Sequence, residues 1–543
     1  MQFNIFKSQS GKPTFTVNGL MYHSRYDPER EAKKFIRNIL ADSDYRDSTD
    51  SPKKYFIILG CGLGFICKAI KELFPQSFTI GIYYANTIFQ SSFFKPDAWW
   101  IDGNATPLID FLKHILNELD ISDTKLLEWP VSSKIFEDRA NILREEIAQV
   151  IREYTGNYRT TYFLGRRWIR NSFKNFLTVE KPVKNLFLGN DKIPIIVASG
   201  PSLESSLETL KKRRGALFIL ALPSSVSVLK SFDIYPDIVV ITDPGFYTKY
   251  HLSYLGMNSA RLVALSLISA FGTETFAKST LLFSNDSYPE RLIFASAGIT
   301  PLIFPSQGTV AATALSLASL LGSRTVVTVG LDLCYFDIKS HARNGSNHFF
   351  HIIHQNRLHP LYGEMLRFAF DKTKAFTSKE KVTYRSNDSL RAYAGWFSSN
   401  MKNFSNIDIY RLNPSPAYLD NLQCIDTETF ESIVSQYQSP SRGEIDYAYF
   451  DSYPVYGLRL AILRKLISKW KESLEGVKKR INDDFPASDV LISEDFVSLS
   501  YYTDIHLLHE IKRAIALENE EEAKMKVIQL AEENINFVSS LEI

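Results

Sequence analysis

The chain has 543 residues, 45% hydrophobic and 22% charged, the balance of a globular protein with room for about three domains. Sixty-two Lys and Arg against 60 Asp and Glu leave a formal charge of +2, which excludes the broad basic footprint of a nucleic-acid binder. Four cysteines without a CxxC pair (Cys61, Cys67, Cys334, Cys424) exclude a disulfide scaffold and argue against structural zinc.

Met1–Lys7 lacks a basic start followed by an apolar stretch, and no run of about 18 apolar residues occurs. The expectation is a cytoplasmic protein with reduced cysteines, no membrane span and no nucleic-acid partner. Thr14–Tyr22 predicts a hairpin turning at Asn18-Gly19, after which Asp27 caps a helix with Pro28 at its first position. Residues 42–53 are a polar loop by composition. The run Tyr55–Leu59 ends in Gly60-Cys-Gly-Leu-Gly64, then come a helix (65–73) and a second strand (78–83), an alternation that argues a parallel sheet. Residues 105–180 read as mostly helical. A second α/β region starts near Lys184, with strands at 194–198, 216–222, 238–242, 261–267 and 325–330 and helices at 203–213 and 310–321. Its continuous Val/Ile/Leu strands fit a parallel sheet covered on both faces. Residues 337–390 are polar and His-rich, the texture of a long loop or lid. The spacing from 458 to 481 and from 503 to 537 predicts a helical C-terminal region.

Four motifs of the central region carry candidate chemistry. Ser199-Gly-Pro-Ser202 joins a strand to a helix, and the N–H groups of Ser202 and Leu203 at a helix start suit a phosphate; the alternative is a capped turn without ligand. Asp243, in Thr242-Asp-Pro-Gly245, ends a strand and could bind a ribose, a metal or an acceptor hydroxyl, or merely form the turn. Ser306-Gln-Gly-Thr309 opens a small-residue helix at the same edge. Asp332 follows the last strand and His341 lies nine residues on, a pairing suited to deprotonating an acceptor hydroxyl. Five of the ten histidines fall between 341 and 359, but their spacing is not that of a helical zinc pair, so no metal site is expected. The Gly60–Gly64 turn has no carboxylate at the end of its next strand (Gly81-Ile-Tyr-Tyr84) to hold a ribose, and reads as a degenerate Rossmann-like turn; Asp102 lies on the strand after.

In this order the motifs resemble the Maf (motility-associated factor) flagellin glycosyltransferases, whose central domain is of the MptE-like, sialyltransferase-like type. The stretches are His23–Ala32, Leu59–Gly64, Ser199–Leu203, Pro236-Asp237 with Thr242–Pro244, Gln307–Val310, and Gly330–Leu333 with His341. The resemblance implies an α/β protein with a Rossmann-like N-terminal domain (1–180), a central sialyltransferase-like parallel-sheet domain (181–430) and a helical C-terminal domain (431–543). It implies transfer of a nonulosonic acid of pseudaminic or legionaminic type from a CMP-sugar to Ser/Thr of flagellin, serving flagellum assembly and motility. By the same analogy Ser199, Gly200, Pro201, Ser202, Ser306, Gln307, Gly308 and Thr309 hold the CMP-sugar, and Asp243, Asp332 and His341 lie at the transfer centre, with no metal or other cofactor required. Two departures stand out: sialyltransferase asparagines are replaced near Ser224 and Ser225, and a Gly-rich stretch by Asn413–Ala417. The alternatives are a pterin-type diphosphokinase using ATP and magnesium through Asp243 and Asp332, and a non-catalytic flagellin-binding factor.

Overall fold

The computed structural model describes residues 3–41, 54–188, 192–257, 259–336, 338–378, 381–412, 415, 417, 419, 422–437 and 446–541. The expected polar loop at 42–53 lies outside them, as does most of Asn413–Ala417. The chain divides into two compact units, Met1–Phe163 with Glu472–Phe537, and Leu164–Lys471 with Val538–Ile543.

The first unit opens with a small antiparallel sheet, β1 (Phe3–Lys7), β2 (Pro13–Val17) and β3 (Leu20–Met21). Its turn sits where predicted, Asn18 and Gly19 both taking positive φ. The Asp27 carboxylate accepts the N–H groups of Glu29 and Arg30 at 3.1 Å and starts α1 (Pro28–Ala41). Then follow β4 (Tyr55–Leu59), α2 (Phe65–Leu73), β5 (Phe78–Tyr83), α3 (Asn86–Ser91), β6 (Ala98–Ile101), α4 (Leu108–Ile115), β7 (Thr124–Glu128), α5 (Pro130–Ile135) and α6 (Glu137–Thr178), which ends in the second unit. The four strands form a parallel sheet in the order β6-β5-β4-β7. Strand β7 corrects the mostly helical reading of 105–180: Thr-Lys-Leu-Leu-Glu is too short for periodicity to tell strand from helix.

The second unit holds β8 (Val183–Phe187), β9 (Ile193–Val197), α7 (Leu207–Lys212), β10 (Leu217–Ala221), α8 (Val226–Lys230), β11 (Ile238–Ile241), α9 (Phe246–Ser253), β12 (Ala260–Ser266), β13 (Ala277–Ser284), α10 (Tyr288–Ala297), β14 (Leu302–Ile303), α11 (Val310–Ser319) and β15 (Thr325–Val329). A 3-10 turn over Pro201–Ser206 precedes α7, so the helix expected at 203–213 is shorter than its pattern. Residues 337–390 are not a bare loop. They fold as α12 (Ser346–His354), α13 (Leu361–Asp371), the hairpin β16 (Lys374–Thr377) with β17 (Thr383–Ser386), and the start of α14 (Asp388–Asn400). The apolar side of Phe349-Phe-His-Ile-Ile353 is hidden in the polar average of that stretch. Next come β18 (Asp408–Leu412), β19 (Gln423–Ile425), α15 (Thr427–Ser435), β20 (Asp446–Tyr449) and α16 (Tyr456–Asn482), followed by α17 (Ala487–Val490), α18 (Glu494–Thr503), α19 (Ile505–Ala516) and α20 (Glu520–Ser539), of which α17 to α19 and most of α20 belong to the first unit.

The central sheet runs β19-β18-β15-β9-β10-β11-β12-β13-β8-β20, with β14 beside β13, and every pairing but β20 with β8 is parallel. The chain builds outward from β9 through β13, then returns through α11 to lay β15 on the other side of β9. That reversal is a topological switch point, the place where ligands of open parallel sheets bind. The return also sets the N-terminus of α11 at the carboxyl edge, level with the loops after β9 and β11. Among the described residues, no helix is long and apolar enough to cross a membrane.

Candidate functional site

The turn after β9 lies in the switch-point crevice and is closed by the chain itself. Ala198 N–H donates to Val329 O and Gly200 N–H to Gly330 O, both at 2.8 Å, so the parallel ladder with β15 runs past the ends of both strands. Only glycine fits at position 200: a Cβ there would lie 2.5 Å from both Gly330 O and Asp332 Oδ2. Ser202 donates its N–H to Asp332 Oδ2 at 2.8 Å and its hydroxyl to Oδ1 at 2.5 Å, and Leu203 N–H bonds Gly200 O. The two N–H groups expected to be open to a phosphate are therefore taken, one by a carboxylate that is itself an anion at the helix start. Asp332 is 2% exposed, and burial raises its pKa against the pull of Ser202. Pro201 is buried in the same turn. Ser199 keeps a polar link outward, its hydroxyl donating to Ser224 Oγ at 2.8 Å.

The 306–309 turn lies at the same edge. Phe304 N–H bonds Ser284 O at the end of β13, and Thr309 then caps α11, its Oγ1 accepting from Ala311 N–H at 3.4 Å. Gln307 folds back onto its own helix, donating to Ser316 Oγ at 3.0 Å. Ser306 and Gly308 are exposed, and Gly308 has φ +74°.

Asp243 is exposed at the end of β11, and one of its oxygens accepts Gly245 N–H at 2.6 Å, an Asx turn that leaves the other oxygen open. Three groups the motifs did not single out gather around it. His251, on α9, feels the Asp243 charge and pairs through Nδ1 with Ser346 Oγ. Tyr393, on α14, has its pKa raised by burial and by Asp243, and its ring lies 4.0 Å from the Cβ position of Gly308, so it spans the two turns. Arg167 Nη1 lies 3.9 Å from the Cβ position of Gly245. Lys249 and Lys174 stand over the Phe271 ring at 3.6 and 4.4 Å, beyond β12, adding positive charge to this edge. His341 joins the group: burial, then His251 and His351, pull its pKa down to about 4, and Ala342 N–H is bonded to Ser199 O. The edge thus carries a free carboxylate, two neutral imidazoles, a phenol and cations.

Buried polar groups hold these loops. Asn175 Nδ2 donates to Leu267 O and Ser269 O, both at 2.8 Å, and Asn171 Nδ2 to Pro244 O and Ile268 O at 3.2 Å. Glu290 is fully buried and takes the N–H groups of Leu267, Asn285 and Ser287 and the Ser287 hydroxyl; burial still lifts its pKa to about 7. Asn171 and Asn175 carry no local pattern, since each acts on carbonyls more than 70 positions away, whereas Glu290 closes a capping box with Ser287 at the start of α10 and reaches from there to Leu267.

The Gly60–Gly64 turn of the first unit is filled by the protein. Cβ atoms at Gly60 and Gly62 would meet Ser132, Tyr22 and His23, and at Gly64 the Phe94 carbonyl, with φ positive at all three. Leu63 N–H donates to His23 Nε2 at 3.2 Å, and burial drops the His23 pKa to about 3. Asp102 is held by Arg139 through two bonds, at 2.6 and 2.8 Å.

Comparison with known proteins follows the same geography. Residues 167–337 match the sequence model of the family described as 6-hydroxymethylpterin diphosphokinase MptE-like, a span that includes both turns, Asp243 and Asp332. An uncharacterized protein of Treponema pallidum (strain Nichols) is 26% identical over 331 residues, 61% of this chain and 69% of that protein. The fold is similar to that of the Maf glycosyltransferase from Magnetospirillum magneticum AMB-1, with a TM-score of 0.57 and 13% identity, over 100% of this chain and 91% of that one. The Maf resemblance and the α/β fold class with its helical C-terminal region are thus borne out in fold and in the central segment.

Proposed function

We propose that the chain is a glycosyltransferase working at the carboxyl edge of the central sheet. It moves a nonulosonic acid of pseudaminic or legionaminic type from a CMP donor to Ser or Thr hydroxyls of flagellin in the cytoplasm, ahead of flagellum assembly. The observation that carries the reading is the exposed Asp243 with His251 and Tyr393 beside it, and His341 next to His251, at a strand edge flanked by Arg167, Lys174 and Lys249. The likeness of the whole chain to a Maf glycosyltransferase supports it. The acceptor oxygen attacks the anomeric carbon as the bond from that carbon to the phosphate oxygen breaks. The electron pair leaves with CMP, and the hydroxyl proton passes to Asp243 or His341. The fixed cations Arg167, Lys174 and Lys249 offset the charge on the departing phosphate, so the step as proposed requires no metal. Asp332, committed to Ser202, positions the turn.

That commitment also weighs against an ATP- and magnesium-dependent diphosphokinase, the activity named in the matched family's description. A metal held by Asp243 and Asp332 would compete with Ser202 for the Asp332 oxygens, each of which already accepts a bond from it. Calorimetric titration separates the readings: CMP binding without magnesium fits the transferase, magnesium-dependent ATP binding the kinase. The decisive experiment is intact-mass spectrometry of flagellin from cells with and without this protein; an unchanged mass overturns the proposal. Asp243→Asn keeps the Asx turn and is expected to lower transfer by about 10²- to 10⁴-fold.

A further inference from the structure

Resting on the site described above, we propose that Asn347, with Ser340, fixes His341 in the tautomer protonated on Nε2, so that the ring presents an N–H donor to an oxyanion of the donor substrate rather than a base to the acceptor. Asn347 stands in the first turn of α12, and its Nδ2 lies 3.1 Å from His341 Nδ1. An amide nitrogen only donates, so Nδ1 must accept. The Ser340 hydroxyl, 2.9 Å from the same Nδ1, can donate as well. With the Nδ1 lone pair engaged twice, the proton of the neutral ring belongs to Nε2, which has no hydrogen-bond partner among the described residues and is not a sealed, orphaned atom.

The segment that carries the pair is pinned at both ends. Ala342 N–H bonds Ser199 O at 2.8 Å, Ser346 N–H bonds Ser227 Oγ at 2.7 Å, and Ser346 Oγ pairs with His251. The ring and the amide therefore keep their register against the carboxyl edge of β9 and against α8 and α9. The titratable groups acting on His341 are His251 on α9 and His351 on α12, both of which oppose a positive ring, as burial does. A neutral imidazole N–H held in place is a preorganised donor for a phosphate or carboxylate oxygen, and both groups occur on an activated acidic sugar. The acceptor proton is then left to Asp243.

Long-range proton–nitrogen NMR of the full chain labelled with ¹⁵N-histidine tests this without substrate, with His341 identified by the signals missing in His341→Gln. The expected spectrum is that of a neutral Nε2–H ring from pH 6 to pH 8. An Nδ1–H pattern, or an imidazolium in that range, overturns the proposal. Asn347→Asp replaces the donor by an acceptor and is expected to move the proton to Nδ1, raise the ring pKa and lower kcat by about 10²-fold. An unchanged tautomer in that variant refutes the role of Asn347, and if the variant does not fold, the wild-type spectrum decides alone. A chain with no transferase activity that still shows Nε2–H upholds the tautomer and refutes the functional reading instead.

Discussion

The protein makes the same local structure twice, a buried parallel strand running into a glycine turn and a helix, and uses it differently. In the first unit the Gly60–Gly64 turn is packed shut by Tyr22, His23 and Ser132, with a backbone carbonyl against Gly64. In the second unit the Ser199–Ser202 turn is held by one carboxylate from the neighbouring loop, and polar groups lie near it at the same edge, the exposed Asp243 after β11 and the half-buried His251 and Tyr393 on α9 and α14. A glycine turn at a sheet edge is therefore not evidence of a ligand by itself. What fills the space above it decides, and that filling comes from elsewhere in the chain.

The largest effect is expected in the filled turn. Gly64→Ala adds a Cβ against the Phe94 carbonyl at φ +90°, combining backbone strain with overpacking. We expect a loss of about 4 kcal/mol, measured by chemical denaturation. A loss below about 1 kcal/mol would show that the turn has slack and would erase the contrast between the two.

Two buried groups, His23 in the first unit and Glu290 in the second, respond to pH in opposite directions, while His341 of the second unit, held down to about 4 by burial, acts in the direction of His23. His23 is neutral when folded, and its pKa is lowered from 6.5 to about 3 by burial. The unfolded chain takes a proton below pH 6.5 that the folded one refuses, so the stability of the first unit falls as pH drops from 6.5 toward 3, by on the order of 4 kcal/mol. Glu290 has its pKa raised from 4.5 to about 7, so the folded chain holds its proton longer. Its contribution is complete below pH 4.5 and is lost as pH rises toward 7, by on the order of 3 kcal/mol. Asp332, raised by burial, acts in the same direction as Glu290. Hydrogen exchange at the amides of β4 and of β9, followed from pH 4 to pH 8, checks both signs as differences: the wild type should lose stability relative to His23→Gln in β4 as pH falls, and relative to Glu290→Gln in β9 as pH rises.

These long-range partners mark the limit of what the sequence carries. Strands β4, β9, β10, β11, β12 and β15 are legible because each is a continuous apolar run that a doubly covered parallel sheet demands. Strands β13 and β18, Ala-Lys-Ser-Thr-Leu-Leu-Phe-Ser and Asp-Ile-Tyr-Arg-Leu, mix polar residues into their runs and are not. The turns are legible through glycine, proline and serine, and Asp243 through its Pro-Gly. Asp332 is legible as a residue but not as the partner of Ser202, because the two are 130 positions apart. His251 and Tyr393 carry no motif at all; only the packing of α9 and α14 brings them to Asp243.

A smaller effect separates positioning from chemistry at the second turn. Asp332→Ala leaves the Ser202 N–H and hydroxyl without their acceptor and should cost about 2 kcal/mol. Asp332→Asn keeps one oxygen acceptor and should cost less while retaining most of the transfer rate. A stable Asp332→Asn protein with no activity would make the carboxylate a participant in the reaction and not only the clasp of the turn.

The smallest effect tests whether the third turn belongs with the filled turns or the working ones. Thr309 caps α11, and removal of such a cap costs about 1 kcal/mol. The helix is otherwise seated by Ala311, Ala312, Ala314, Leu315, Leu317 and Ala318, all buried, so Thr309→Ala should neither unfold it nor shift it along the sheet. Thr309→Ser keeps the oxygen and should be close to neutral in stability. If the turn is scaffold only, both variants keep the KM for the donor. If its hydroxyl also meets the donor, Thr309→Ala raises that KM several-fold with kcat held, and Thr309→Ser restores it, which no loss of helix stability alone can do.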